Sequence, residues 1–296
     1  MVSAFLALVP MVPYAVMEMT PLRALPEAGP GLQEPPAPAH PGGLPGAAPS
    51  PLSARAVREA SRGWEWKSLE SPGWKILVAD HVVVRGDVPL DGLRTTAVYL
   101  EEFRRMLRGS IRGDDAGVMF SARVFAEPRD FRRYAARRGA ANAESFYDPA
   151  ASELVICLDR AAGPEWLQRT LAHEFTHAYM DRVWKRTGPL WFAEGMAEYF
   201  AHFGMKDGRA VPGGVDAPSV LLLRLGEPVP LAKFLALGRE EMYGPSFPTH
   251  YAQAWSLVHY LFSRGDGLID LLLRGGTLEN VEELERGWKE HLEKLE

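Results

Sequence analysis

Apolar residues in the second half of the chain recur every three or four positions, as they do along the buried face of an α-helix. One such series runs through Leu167, Leu171, Phe175 and Ala178. It predicts a helix that begins near Pro164, because proline suits the first turn of a helix. The same period predicts further helices over residues 189–203, 220–225, 231–237, 249–263, 268–273 and 281–295.

The first half of the chain mixes this helical period with short apolar runs that are typical of strands. Helices are predicted over 90–107 and 131–138. Strands are predicted over 74–78, 81–84 and 118–126, and a hairpin over 146–147 and 154–158. The sequence therefore predicts an α+β fold. A mixed β-sheet with helices forms the N-terminal half, a helix near 164–178 follows, and the C-terminal half is mostly helical.

A His-Glu-x-x-His pattern, formed by His173, Glu174 and His177, lies within that central helix. A helix advances about 100° per residue, so two residues four apart return to nearly the same face. The imidazoles of His173 and His177 can therefore converge on one metal ion, with Glu174 beside the open coordination position. Zinc-activated hydrolysis needs these parts: protein ligands, an open position for water and a carboxylate that takes the proton of the water.

The helix predicted over 189–203 places Glu194 and Glu198 on one face, among large apolar residues. A carboxylate in such surroundings is costly unless it is paired or bound to metal. We therefore interpret Glu194 as the third metal ligand. Glu198 is expected to accept a hydrogen bond from the free ring nitrogen of a ligating histidine, which fixes the imidazole tautomer. The alternative for Glu198 is a solvated surface position.

Taken together, the two segments resemble the gluzincin clan of zinc metallopeptidases. In aminopeptidases of that clan, His-Glu-x-x-His is followed by Trp-Leu-x-Glu-Gly-x-Ala, whose glutamate is the third zinc ligand. Here residues 191–198 read Trp-Phe-Ala-Glu-Gly-Met-Ala-Glu. The closer likeness is to small bacterial peptidase MA-like proteins. The resemblance implies a zincin-like fold and one Zn²⁺ per chain, held by His173, His177 and Glu194. A Gly-x-Met-Glu-Asn exopeptidase signature is absent from the sequence, so aminopeptidase specificity is not implied.

The resemblance also implies an activity, the hydrolysis of peptide bonds in peptide or protein substrates by an endopeptidase. Glu174 would take a proton from the activated water and pass it to the leaving nitrogen. In related enzymes a tyrosine or histidine from the C-terminal half helps to hold the oxyanion. The candidates here are Tyr251, then His250, then Tyr243, and core packing is the equal alternative for Tyr251.

Peptidases of this clan usually bind substrate antiparallel to an edge strand of the sheet. The run 153–158 is the last predicted strand before the His-Glu-x-x-His helix. This strand, or its neighbour in the sheet, is therefore the expected edge.

Composition and charge narrow the classes of partner. The chain has 296 residues, of which 47% are hydrophobic, so it can bury a substantial core. A net charge of −5 gives no electrostatic case for nucleic acid. A local basic run between 129 and 138 is expected to be a solvated helix face.

The single cysteine, Cys157, is expected to be buried, and it excludes an intrachain disulfide and a cysteine-rich zinc site. The oligomeric state stays open.

Residues 1–20 are a candidate signal or anchor segment, because the first seventeen residues carry no charged side chain and include the apolar run 5–9. The absence of a preceding lysine or arginine and the interruptions at Pro10 and Pro13 argue against this interpretation. Residues 21–52 contain ten of the 24 prolines and are expected to form a disordered spacer. This organisation favours an exported or membrane-anchored protein, with the cytoplasm as the alternative, and leaves 53–296 as the metallopeptidase domain.

A second hypothesis belongs to another class, a non-catalytic binding module that zinc stabilises on a membrane-proximal stalk. Glu174 distinguishes the two, since a structural zinc site closes its fourth position and has no use for a base. Its presence favours the enzyme. The substrate, the cleavage specificity and the choice between endopeptidase and exopeptidase action stay open at this point.

Overall fold

The computed structural model describes residues 53–69, 73–141, 143–158, 163–185, 188–206 and 209–295. The candidate signal segment, 1–20, and the Pro-rich segment, 21–52, lie outside these residues. In the described part, six strands and three helices are interspersed as far as residue 157, and helices dominate after it. The predicted α+β class, with a mixed sheet and a helical C-terminal half, is therefore confirmed.

A six-stranded mixed sheet forms the centre of the N-terminal half. The elements are α1 (Ala54–Ala60), β1 (Glu65–Ser68), β2 (Lys75–Val78), β3 (Val82–Gly86), α2 (Leu90–Ser110), β4 (Phe120–Phe125), α3 (Pro128–Arg137), β5 (Ser145–Asp148) and β6 (Glu153–Cys157). The strand order is β1-β2-β3-β4-β6-β5. β3, β4 and β6 are parallel, and the remaining neighbours pair antiparallel. The predicted β5–β6 hairpin is thus confirmed. β5 is one of the two edge strands and β6 its neighbour, although all four residues of β5 are buried.

The C-terminal half contains one small hairpin among its helices. Its elements are α4 (Gly163–Tyr179), a π-helical turn (Met180–Trp184), α5 (Leu190–Ala201), β7 (Gly204–Lys206), β8 (Arg209–Val211), α6 (Ala217–Leu225), α7 (Leu231–Leu235), α8 (Arg239–Met242), α9 (Phe247–Arg264), α10 (Leu268–Leu273) and α11 (Val281–Lys294). Every helix that the apolar period predicted is present, with ends shifted by a few residues. The hairpin, α8 and the π-helical turn are too short to show a period, so the sequence pattern did not predict them.

Both faces of the sheet are covered, which explains the continuous apolar run of β6. Successive side chains of a strand point to opposite faces. Leu154 and Ile156 therefore enter the main core, which also contains residues of α2 and α4, whereas Val155 and Cys157 enter a second cluster with Phe131 of α3. Cys157 is buried, as predicted.

The basic run follows the outer surface of α3. Its arginines are all exposed: Arg129, Arg132, Arg133, Arg137 and Arg138. This exposure is compatible with the expected solvated helix face, which stays a prediction. Separately, no helix among the described residues has the length and apolar character needed to cross a membrane.

α4 and α5 lie where the sheet meets the helical half. α4 packs against β5 and β6 on one side and against α5 on another, and α5 in turn packs along α9. The contact between α5 and α9 is close at Gly195, where an added Cβ would lie 2.5 Å from the carbonyl oxygen of Ala254. This packing brings side chains of α4, α5 and the edge strand to one buried region.

Candidate metal centre

α4 brings the two histidines of the His-Glu-x-x-His pattern together. Leu171, Phe175 and Ala178 anchor the helix in the core, so its orientation about its axis is set by packing. The Nε2 atoms of His173 and His177 lie 3.1 Å apart, and both side chains are buried. The predicted convergence of the two imidazoles on one point is therefore present.

Glu194 of α5 reaches the same point from the neighbouring helix. Its Oε2 atom lies 3.6 Å from Nε2 of His173 and 3.7 Å from Nε2 of His177. Metal bonds of about 2.0–2.2 Å in tetrahedral geometry separate the ligand atoms by roughly 3.3–3.6 Å. The observed distances are close to these values. The buried group His173, His177 and Glu194 could thus hold a metal ion.

The two carboxylate oxygens of Glu194 differ in a way that fits a metal ligand. Oε1 accepts a hydrogen bond of 2.8 Å from the hydroxyl of Tyr243. Oε2 is buried and accepts no hydrogen bond from the residues that the structure describes. A buried oxygen without a partner is destabilising, and coordination to a cation would satisfy it.

The charge balance of the cluster also favours a cation. Burial lowers the pKa of His173, but the carboxylates of Glu198, Glu174 and Glu194 outweigh burial and raise it to about 10. Burial raises the pKa of Glu194, but the His177 and His173 imidazoles and the Tyr243 hydroxyl lower it to about 2. Three carboxylates thus face two imidazoles, and this excess of negative charge attracts a positive ion.

Glu198 lies one helical turn beyond Glu194 and contacts the other ring nitrogen of His173, Nδ1. Its Oε1 atom is 3.0 Å from Nδ1 of His173, and its side chain is almost fully buried. The alternative of a solvated surface position is therefore wrong. A proton on Nδ1 that is donated to Glu198 leaves the lone pair of Nε2 directed at the metal position.

Glu174 has a partner that the sequence analysis did not identify. The hydroxyl of Ser145, in the edge strand β5, donates a 2.9 Å hydrogen bond to Oε1 of Glu174. Oε2 of Glu174 is buried, with no hydrogen-bond partner among the described residues. A single serine in a four-residue strand carries no spacing signal, so only the contact itself could identify Ser145.

The three candidates from the C-terminal half have different positions. The ring of Tyr251 lies parallel to that of His173, with centroids 6.4 Å apart, and burial followed by the charge of Glu194 raises its pKa. Tyr243 contacts Glu194 directly, as described above. His250 places Nδ1 3.1 Å from the carbonyl oxygen of Met242, at the end of α8. The structure thus brings both tyrosines to the cluster and engages His250 with the backbone of α8.

Comparison of the chain with protein-family models and with curated protein sequences found no match to either. The metal centre is accordingly supported by the residues themselves and by their geometry. The likeness to gluzincins stays a prediction that is drawn from the two motif segments.

Proposed function

We propose that the chain is a zinc-dependent peptide-bond hydrolase of the gluzincin type, with endopeptidase action. One observation carries the proposal: His173, His177 and Glu194 converge on one buried point, beside the helix position of Glu174. Two imidazole nitrogens and one carboxylate oxygen are a donor set of catalytic zinc sites, which keep a fourth position open for water. A site used for stability alone would close that position and would not need a neighbouring carboxylate.

In this proposal the metal ligands, Glu174 and Ser145 each have a separate role in hydrolysis. Zinc held by the three ligands would lower the pKa of a water molecule towards about 7 and polarise the carbonyl to be attacked. Glu174 would accept the proton of that water and deliver it to the leaving nitrogen. Ser145 holds one carboxylate oxygen of Glu174, so the other oxygen has a defined orientation.

Two further residues would support the reaction. Glu198 orients His173 through Nδ1, so that Nε2 is presented to the metal. Tyr251 is the proposed donor to the developing oxyanion, because its ring packs parallel to that of His173, a proposed metal ligand. Binding of the peptide along β5 stays a prediction.

The proposal is tested first by the zinc content of the purified full-length protein, measured by plasma mass spectrometry. We expect about one zinc per chain, lost in a His177→Ala variant. Glu174→Gln should keep the zinc and abolish the cleavage of peptides that the unsubstituted protein cleaves. A Glu174→Gln variant with normal turnover would remove Glu174 from the mechanism.

The same measurements separate the enzyme from the non-catalytic alternative. A protein that retains zinc but cleaves no member of a broad peptide library would favour a zinc-stabilised binding module. A protein that binds no zinc, even after exposure to excess zinc, would contradict both functions.

A further inference from the structure

A chain of polar contacts continues beyond Glu198, away from the metal centre. His202, the C-cap residue that follows α5, places Nδ1 2.9 Å from the carbonyl oxygen of Glu198 and 3.8 Å from its Oε2. His202 is 6% exposed, and its other ring nitrogen, Nε2, lies 3.4 Å from Oδ1 of Asp216. The contacts therefore run from His173 through Glu198 and His202 to Asp216, which immediately precedes α6.

The loop before α6 is joined to His202 through the backbone as well. The N–H of Gly214 donates a 2.6 Å hydrogen bond to the carbonyl oxygen of His202. A Cβ at residue 214 would lie 2.6 Å from that same oxygen, so only glycine permits the approach. Asp216 also accepts a hydrogen bond from Ser219, in the first turn of α6. Asp216 is thus held by its own helix while it faces His202.

The contacts return to α4 through Arg169. This residue lies one helical turn before His173, and its Nη1 atom is 3.3 Å from Nε2 of His202. Asp216, just before α6, and Arg169 of α4 therefore bring opposite charges to the same ring nitrogen. Two contacts therefore connect α4 with α5 and its C-cap: one between His173 and Glu198, and one between Arg169 and His202.

A buried histidine that served packing alone would need only enough partners to satisfy its ring. His250 is such a case, since it has the same 6% exposure and a 3.1 Å contact between Nδ1 and a backbone carbonyl. His202 differs in what it contacts: Nδ1 lies 3.8 Å from the Glu198 carboxylate, and Nε2 faces Asp216 and Arg169. Polar groups that orient the ligands of a metal commonly affect its affinity, and buried networks of this kind act as a unit.

We infer that His202 and Asp216 are positioning residues of the metal centre, which hold Glu198 in the orientation that presents His173 to the ion. The loop 212–216, between β8 and α6, is thereby coupled to metal affinity. This inference rests on the proposed metal site, but it does not depend on which bond the protein hydrolyses.

The test is the zinc dissociation constant of the full-length protein, measured by competition with a chromophoric chelator. His202→Gln and Asp216→Asn should each weaken zinc binding about tenfold, the lower end of the range for such supporting residues. The visible spectrum of the cobalt-substituted protein should change with them, because its bands report ligand geometry. His81→Gln is the control, at a histidine whose Nδ1 lies 3.3 Å from Oε2 of Glu101 and outside the cluster, and it should leave both the affinity and the spectrum unchanged.

A double variant distinguishes positioning from a general loss of stability. In a Glu198→Gln background, His202→Gln should have little additional effect on zinc affinity, because its route to His173 is already weakened. If His202→Gln prevents folding, Asp216→Asn gives the same comparison with a smaller change in the core. The thermal midpoint of each metal-free variant shows which variants remain folded.

Three results would overturn the inference. Affinities of both single variants within twofold of the unsubstituted protein would remove His202 and Asp216 from the centre. An equal loss of affinity with and without Glu198→Gln would mean that they act by another route. A protein that binds no zinc at all would instead remove the metal site on which both proposals rest.

Discussion

At the scale of single residues, the three buried glutamates of the centre meet different partners. Glu194 faces both imidazoles, Glu198 contacts His173 from the opposite side, and Glu174 accepts a hydrogen bond from Ser145. The helical period alone placed Glu194 and Glu198 on one face. The hydroxyls that bind these glutamates, from Ser145 and Tyr243, belong to distant segments of the chain. These contacts therefore became apparent only from the packed structure.

We predict that Ser145→Ala lowers kcat about tenfold and leaves zinc affinity unchanged. The hydroxyl of Ser145 holds one oxygen of Glu174, and a hydrogen bond to a charged group contributes about 1.5–3 kcal/mol. Steady-state kinetics and zinc titration measure the two effects. Ser145→Thr, which keeps the hydroxyl, is the control. A kcat within twofold of that of the unsubstituted protein would show that this contact does not orient the proposed base.

The two tyrosines should affect different quantities. Tyr243→Phe removes the donor to Oε1 of Glu194, so we expect about tenfold weaker zinc binding. Tyr251→Phe removes the proposed oxyanion donor, so kcat should fall about 100-fold with zinc affinity retained. The two variants serve as controls for each other in zinc titration and in kinetics. The opposite pattern would exchange the two roles.

At the scale of elements, the pair α5 and α9 determines where Glu194 stands. The packing explains why a glycine, Gly195, follows Glu194 in the motif: the backbone of α9 occupies the space that a side chain at this position would need. The glycine therefore lets α9, which carries Tyr251, approach α5, which carries Glu194. A motif residue without functional atoms thus contributes to the geometry of the site.

We expect Gly195→Ala to destabilise the metal-free protein by about 1–3 kcal/mol, the usual cost of overpacking. The added Cβ would lie 2.5 Å from the Ala254 carbonyl oxygen, so the two helices must move apart. Gly109, also helical but with no atom within 4 Å of an added Cβ, provides the control. Gly109→Ala should stabilise by up to about 1 kcal/mol. Urea unfolding measures both, and equal effects would refute the close contact.

A second helix pair should make stability depend on pH. Nδ1 of His259 in α9 lies 2.9 Å from Nε2 of His291 in α11. Burial lowers the pKa of His259; burial, His259 and Lys294 lower that of His291. In the unfolded chain these histidines have pKa values near 6.5, so below that pH the unfolded chain binds more protons than the folded one. The stability that the neutral histidine pair contributes is therefore lost as pH falls below 6.5.

The measurement is the free energy of unfolding between about pH 7.5 and pH 5. A variant with both His259→Gln and His291→Gln should lose less stability over this range than the unsubstituted protein. The comparison is needed because the raised pKa values of His173 and His202 act in the opposite direction. Identical pH profiles would show that the pair does not titrate differently on unfolding.

At the scale of the whole molecule, the candidate metal cluster of His173, His177 and Glu194 lies where the sheet and the helical half of the described chain meet. α4 contacts the sheet through β5 and β6, and α5 belongs to the helical half through α9. The two histidines and Glu194 come from these two helices, so a bound ion would join them. Metal binding should for this reason stabilise the fold as a whole.

We predict that zinc raises the thermal midpoint and that a chelator lowers it. At free zinc about 1,000-fold above its dissociation constant, the stabilisation is about 4 kcal/mol. For a chain of this size it corresponds to roughly 10 °C. Scanning calorimetry with zinc and with chelator measures the difference. In His177→Ala the difference in thermal midpoint between zinc and chelator should disappear. An unsubstituted protein whose midpoint is the same with zinc and with chelator would argue against the site.

The amino-acid sequence by itself determined the parts of the site that follow from helical geometry. Residues four apart on a helix share a face whatever surrounds them. The pairing of His173 with His177 and of Glu194 with Glu198 could therefore be predicted, as could most of the helices and strands. The elements that it missed, such as α1, β1 and the β7–β8 hairpin, are short or largely exposed and have little apolar pattern.

Only the tertiary structure decided which distant side chains complete the centre. Ser145 precedes Glu174 by 29 positions, and Tyr243 follows Glu194 by 49. No periodicity relates residues so far apart, because their meeting depends on how the sheet, α4, α5 and the loops pack. The same reason applies to Asp216 and His202. The spacing of the sequence thus determined which residues share a helix face, whereas packing determined what those faces meet.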